Sequence, residues 1–149
     1  MIIYLGADHR GYAHKEQLKS HLKDAGFSVE DCGAHALNTD DDYPVFAKCV
    51  AEKVAQDPEA RGIVLCGSGV GVDIVANKFD GVRAALVENV TAAVSSRADD
   101  NANVLALAAD FLDEAQTLAI ADAWLAAEFS GEQRHRRRLS QIGEIEETN

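Results

Sequence analysis

Cationic side chains are scarce in this 149-residue sequence: 14 Lys and Arg stand against 25 Asp and Glu, a formal net charge of −11. An excess of that size opposes general binding to nucleic acid or to an anionic membrane surface, because its long-range field repels both. It does not exclude a small anionic ligand, which responds to the local field instead. Cysteine is sparse too. Cys32, Cys49 and Cys66 form no CxxC pair, which argues against a disulfide framework or a zinc centre and for a reducing, cytoplasmic setting. No segment reaches the roughly 18 consecutive apolar residues that a membrane-spanning helix needs. Met1–Leu5 lacks the basic flank of a secretory signal, so none is expected there. Repeats and low-complexity linkers are missing as well, and a single domain over 1–149 is expected.

What is present alternates. Residues 2–7 form a short apolar run rich in β-branched side chains, a buried strand ending in the polar turn Asp8-His9-Arg10-Gly11. Residues 12–25 carry Leu18 and Leu22 among Lys and Glu and stop at Gly26, the pattern of an amphipathic helix. A strand follows over 27–32, then a loop over 33–42, then a helix opened by Pro44 and running to Gln56. Residues 62–66 are the clearest buried strand, with a helix predicted over 72–78. Further strands are predicted over 82–87 and 104–108, with helices over 90–98 and 114–128. Five strands alternating with helices predict an α/β fold, a Rossmann-like three-layer sandwich with a five-stranded parallel sheet and a C-terminal helix. Ligands of such folds sit beyond the carboxyl ends of the strands.

Several groups there carry chemistry. Gly67-Ser68-Gly69-Val70-Gly71 turns the chain sharply and aims backbone N–H groups into one concavity, a cradle for a phosphate or a developing oxyanion. Val72 breaks the dinucleotide fingerprint, and no Gly-Lys-Ser/Thr follows, so neither a Rossmann dinucleotide loop nor a Walker loop fits. The alternative is a plain strand-to-helix turn. Cys66 precedes the loop and is either a small buried hydrophobe or, beside the N–H cluster, a thiolate nucleophile or base. His9 suits an anion or a proton transfer, and Asp8 suits a sugar hydroxyl or a helix cap. The segment Arg134-His135-Arg136-Arg137-Arg138 gathers four of the 14 cations. On a helix, Arg134 and Arg138 share a face and suit a phosphate; alternatively the segment is a solvated basic face paired with Glu144, Glu146 and Glu147.

These segments together resemble the type-B ribose-5-phosphate isomerase family, which also contains galactose-6-phosphate isomerase subunits. The resemblance rests on Gly6-Ala7-Asp8-His9-Arg10-Gly11, Asp42-Tyr43-Pro44, the run from Gly62 to Gly71, Ala76-Asn77-Lys78-Phe79, Gly81-Val82-Arg83-Ala84-Ala85 and Asn101-Ala102-Asn103-Val104-Leu105-Ala106-Leu107. It implies an aldose–ketose isomerase of a sugar phosphate with no metal and no organic cofactor. Cys66 would be the base that moves a proton between C1 and C2 through a cis-enediolate, and the amides of Gly67, Gly69, Val70 and Gly71 would stabilise it, with Ser68 in the same loop. Asp8 and Tyr43 would contact the sugar; His9, Arg134 and Arg138 would hold the phosphate. The resemblance also implies a homodimer or tetramer with the site between subunits.

Two departures stand out. Asp99-Asp100 occupies the place of the family's His-Asn pair, so Asp99 falls where the ring-opening histidine belongs and Asp100 beside it in the binding set. A carboxyl group does general acid work only with a raised pKa or a supplied proton. Asp110 stands where a phosphate-contacting arginine is common. Three activities fit: isomerisation of ribose 5-phosphate, isomerisation of another sugar phosphate such as a hexose 6-phosphate, or sugar-phosphate binding without turnover.

Overall fold

The structure is a computed structural model describing Met1–Asn149. Its elements are β1 (Ile2–Ala7), α1 (Tyr12–Asp24), β2 (Ser28–Asp31), α2 (Tyr43–Gln56), β3 (Arg61–Cys66), α3 (Val70–Ala76), β4 (Ala84–Leu86), α4 (Val90–Asp100), β5 (Val104–Ala108), α5 (Glu114–Ala126) and α6 (Gln133–Thr148). A helix between every two strands forces parallel pairing, and the sheet runs β2-β1-β3-β5-β4 with every neighbour parallel. The expected three-layer α/β sandwich is the observed one.

The period of two along each strand divides the core. Ile63 and Leu65 of β3 face α1, α4 and α5, packing with Leu18, Leu22, Ile120 and Trp124. Val64 and Cys66 face the other way, onto Ala47, Val50 and Ala51 of α2 and Val72 and Ala76 of α3. Both faces are covered, which is why these strands read as continuous apolar runs. The same alternation points the Cys66 thiol to the α2/α3 side at the carboxyl end of the central strand.

Boundaries differ from expectation where side chains satisfy the backbone. The helix predicted over 72–78 begins at Val70, because Gly69 at φ 73° turns the chain and serves as its N-cap. The strand predicted over 82–87 shrinks to Ala84–Leu86. Arg83 N donates to Asn103 Oδ1 (2.8 Å) and Ala84 N to Asn77 Oδ1 (2.9 Å), so side-chain amides replace the ladder at its start. A capping box between Asp113 and Gln116 opens α5. The arginine segment begins a helix that runs on to Thr148.

One buried charge joins α1 to β2. Lys15 is fully buried, its Nζ 2.7 Å from Glu16 and 2.8 Å from Asp31. Lys19 closes the cluster at 2.7 Å from both acids. Burial works against the Asp31 carboxylate, but hydrogen bonds from Lys15 and Lys19 outweigh it and hold the pKa down at about 2.

Candidate active site

From β1 the chain moves to one edge of the sheet, and from β3 it moves to the other. The carboxyl ends of β1 and β3 therefore flank the switch point where an open α/β sheet leaves a crevice. A cleft of about 470 Å³ lies there, lined by Asp8 and Arg10 after β1, Tyr43 at the start of α2, Cys66 and the glycine loop, and Asp110 after β5. Its size suits a small metabolite.

Cys66 borders the cleft while only 4% exposed. The turn after β5 is tied to it: Ala109 N donates to Cys66 O and Asp110 N to Gly67 O, both at 2.9 Å. Within the loop, Val70 N donates to Ser68 Oγ (3.3 Å). The amides of Gly67, Ser68, Gly69 and Gly71 find no acceptor in the chain. They form a set of donors beside the thiol, a geometry that suits an anion.

Asp8 is buried, and its Oδ1 accepts from Arg10 N (2.9 Å) and Gly11 N (3.1 Å). It thus orders the entrance to α1 and borders the cleft as well. His9 is fixed by a residue 32 positions away. Asp41 Oδ1 accepts from His9 N at 2.9 Å and lies 2.7 Å from His9 Nδ1. A carboxylate only accepts, so Nδ1 donates to it, which fixes the ring and leaves Nε2 for another partner. Asp8, His9 and Asp41 bring three potential metal-ligand atoms within 4.8 Å of one another. Asp8 Oδ1 and Asp41 Oδ1 accept backbone amides, the latter joining the turn after β1 to the loop before α2, while Asp41 Oδ2 is buried with no hydrogen-bond partner.

The remaining candidates lie elsewhere in the chain. Because α4 and α5 run back along the sheet, Asp99, Asp100 and the start of α6 gather at the amino ends of the strands. There Asp99 Oδ1 is 3.7 Å from Nε2 of His135, a buried residue whose Nδ1 lies 2.7 Å from Ser130 Oγ. Arg134 and Arg138 are exposed and share a face of α6, as their spacing predicts. Arg134 pairs with Glu132 at 2.8 Å. Glu146 does not pair with the arginines but accepts the Gly81 amide. Asp100 lines a second cleft of about 440 Å³ with Arg83 and Glu146. The predicted residues therefore form two groups, Asp8, His9, Tyr43 and Cys66–Gly71 at one end, and Asp99, Asp100, Arg134 and Arg138 at the other.

Cys32 is half-buried against the α2/α3 core, and burial together with the neighbouring Cys49 thiol pushes its pKa well up. Sequence reasoning missed Asp41 as the partner of His9 and Arg10 as a cleft residue. For Asp41 the signal was the acidic run directly before Tyr43-Pro44; for Arg10 it was adjacency to His9.

Residues 3–142 match the family described as Ribose/Galactose Isomerase. The chain is 42% identical to ribose-5-phosphate isomerase B of Mycobacterium tuberculosis, over its whole length and 92% of that protein. Among solved structures, ribose-5-phosphate isomerase B from Mycoplasma genitalium with bound ribulose-5-phosphate superposes with a TM-score of 0.96 at 41% identity, covering 99% of this chain and 97% of the other. The Clostridium thermocellum ribose-5-phosphate isomerase B gives 0.94 at 45%, covering 99% of each. With likeness this complete, and the loop, cysteine and Asp-His turn meeting at one cleft, the chain belongs to the ribose/galactose isomerase family.

Proposed function

We propose that this chain interconverts ribose 5-phosphate and ribulose 5-phosphate with Cys66 as the base. The observation that carries the reading is the Cys66 thiol at the cleft beside four loop amides that lack an acceptor. In the thiolate form Cys66 removes the proton from C2 of the open-chain aldose, and the electron pair moves through C1 onto O1. The resulting cis-enediolate carries negative charge where the loop amides point, which lowers the barrier in the transition state more than in the ground state. Returning the proton to C1 while the O2 proton moves to O1 completes the aldose-to-ketose change. Tyr43 and Asp8 border the same cleft and hold the sugar, and His9 Nε2, fixed by Asp41, meets the phosphate.

Asp99, Asp100, Arg134 and Arg138 then serve the site of a second copy of the chain. The single chain keeps them at the opposite end of the sheet, while Val70 and Ile74 at the cleft are about half exposed and suit cover by a partner. A symmetric dimer supplies both halves to each cleft.

An isomerase assay over pentose and hexose phosphates, with Cys66→Ala alongside, tests the reading. Wild type is expected to turn over ribose 5-phosphate and to exchange its C2 hydrogen with solvent deuterium. Cys66→Ala is expected to lose both activities while staying folded. Equal turnover by the two proteins removes Cys66 from the mechanism, and binding without C2 exchange by wild type replaces the isomerase with a binding protein.

A further inference from the structure

We propose that Arg10, positioned by Asp110, is the cation with which this chain's own cleft holds the substrate phosphate. The assignment rests on the sugar-phosphate reading above and adds a residue to it. Three charged residues line the cleft, Asp8, Arg10 and Asp110, and Arg10 is the only cation among them. An anion entering the cleft meets two carboxylates, and Arg10 is the one charged side chain there that attracts it.

The guanidinium is held ready for that task. Nε donates to Asp110 Oδ1 at 3.2 Å and Nη2 to Asp110 Oδ2 at 2.6 Å, a fork-to-fork pair between the loops after β1 and β5. These bonds use two of the five guanidinium N–H groups, and the other three have no acceptor in the chain. Asp110 is anchored in turn by its amide, which donates to Gly67 O at 2.9 Å. Gly67 makes room: a Cβ there would lie 2.6 Å from Arg10 Nε and 2.7 Å from Asp110 Oδ2. The pair thus sits directly over the residue that follows Cys66. It is also substantially exposed, with side-chain exposures of 56% and 33%, so it contributes little to fold stability and its place calls for another explanation. A planar donor set held by a carboxylate, with free N–H groups left over, is suited to an oxyanion.

The test is kinetic, with inorganic phosphate as an independent probe. Arg10→Ala is expected to raise KM for ribose 5-phosphate and Ki for inorganic phosphate by about tenfold, leaving kcat within about twofold. Slow turnover of unphosphorylated ribose should not change. Arg10→Lys keeps the charge without the fork and should fall between. The exchange Arg10→Asp with Asp110→Arg restores a paired cation at the same place and should recover most of the loss. Unchanged KM and Ki in Arg10→Ala, or an equal loss on unphosphorylated ribose, overturns the assignment while leaving the isomerase reading intact. If wild type turns over no sugar phosphate, the isomerase reading fails separately. Calorimetric binding of inorganic phosphate then decides for Arg10: weaker binding by Arg10→Ala supports it, and equal binding overturns it.

Discussion

The Tyr43 ring packs directly on the backbone of Gly71: a Cβ at position 71 would stand 2.5 Å from Tyr43 Cζ and 2.7 Å from Cε2. The glycine loop and the first turn of α2 thus share one packing contact at the cleft. Gly71→Ala must push the ring aside. Because Tyr43 is exposed, the ring can move without opening the core, so thermal stability should hold. If the ring holds the sugar as proposed, displacing it by an ångström or more should lower kcat/KM at least about tenfold. Tyr43→Ala added to Gly71→Ala should then cost little more, since both act on one contact. Additive losses would show that the two residues work independently.

The hydrogen bond from His9 Nδ1 to Asp41 leads to a second expectation. Asp41→Ala frees the imidazole to rotate and to change tautomer, whereas Asp41→Asn keeps an acceptor oxygen for Nδ1–H. KM for ribose 5-phosphate should rise about tenfold in the alanine variant and recover most of the way in the asparagine variant, with kcat moving less in both. Steady-state kinetics on the three proteins checks this.

The Asp31 cluster sets part of the acid stability. The folded pKa of about 2 lies below the ordinary value of 3.8, so the carboxylate contributes stability that is full above the unfolded value and is lost as pH falls through the folded one. Asp31→Asn should cost about 2 kcal/mol at neutral pH. The gap between wild type and variant should hold steady down to about pH 5 and close between about pH 4 and 2. Urea unfolding at a series of pH values measures it. A gap independent of pH would assign the loss to packing around Lys15 instead.

Most of the scaffold was legible because each strand is buried on both faces and reads as an unbroken apolar run, as β3 does from Gly62 to Cys66. The order of the strands was not, since no local pattern records that β5 inserts between β3 and β4. Within the site, the residues joined by sequence proximity, Cys66 to Gly71 and Asp8-His9, were legible together. Their long-range partners were not: His9 to Asp41 spans 32 residues and Arg10 to Asp110 spans 100. The separation of Asp99 from Cys66 followed only once α4 was seen to return along the sheet.

Asp99 offers an expectation about ring opening. Its carboxylate faces His135 at 3.7 Å from the end of α4, and that arrangement supplies no imidazole at position 99 itself. Asp99→His introduces a group that both donates and accepts a proton near neutral pH. Turnover of ribose 5-phosphate, which is mostly cyclic, should rise several-fold. Turnover of ribulose 5-phosphate, which has no furanose form to open, should change less. No gain on the cyclic sugar would place ring opening with another group.

The separation of the two residue groups makes the composite site directly testable. If each cleft takes Cys66 from one copy and Arg134 and Arg138 from the other, Cys66→Ala disables one half and the double variant Arg134→Ala, Arg138→Ala disables the opposite half. Each homodimer is then inactive. A mixed dimer contains one cleft with both defects and one with neither, because the intact Cys66 of the arginine variant meets the intact arginines of the cysteine variant. Co-refolded in equal amounts with random pairing, the two inactive proteins should regain about a quarter of wild-type activity. A site built within one chain gives no recovery at any mixing ratio, because every cleft then carries a defect of its own. Size-exclusion chromatography with light scattering on the same samples shows whether dimers formed, which separates failed assembly from a site that needs no partner.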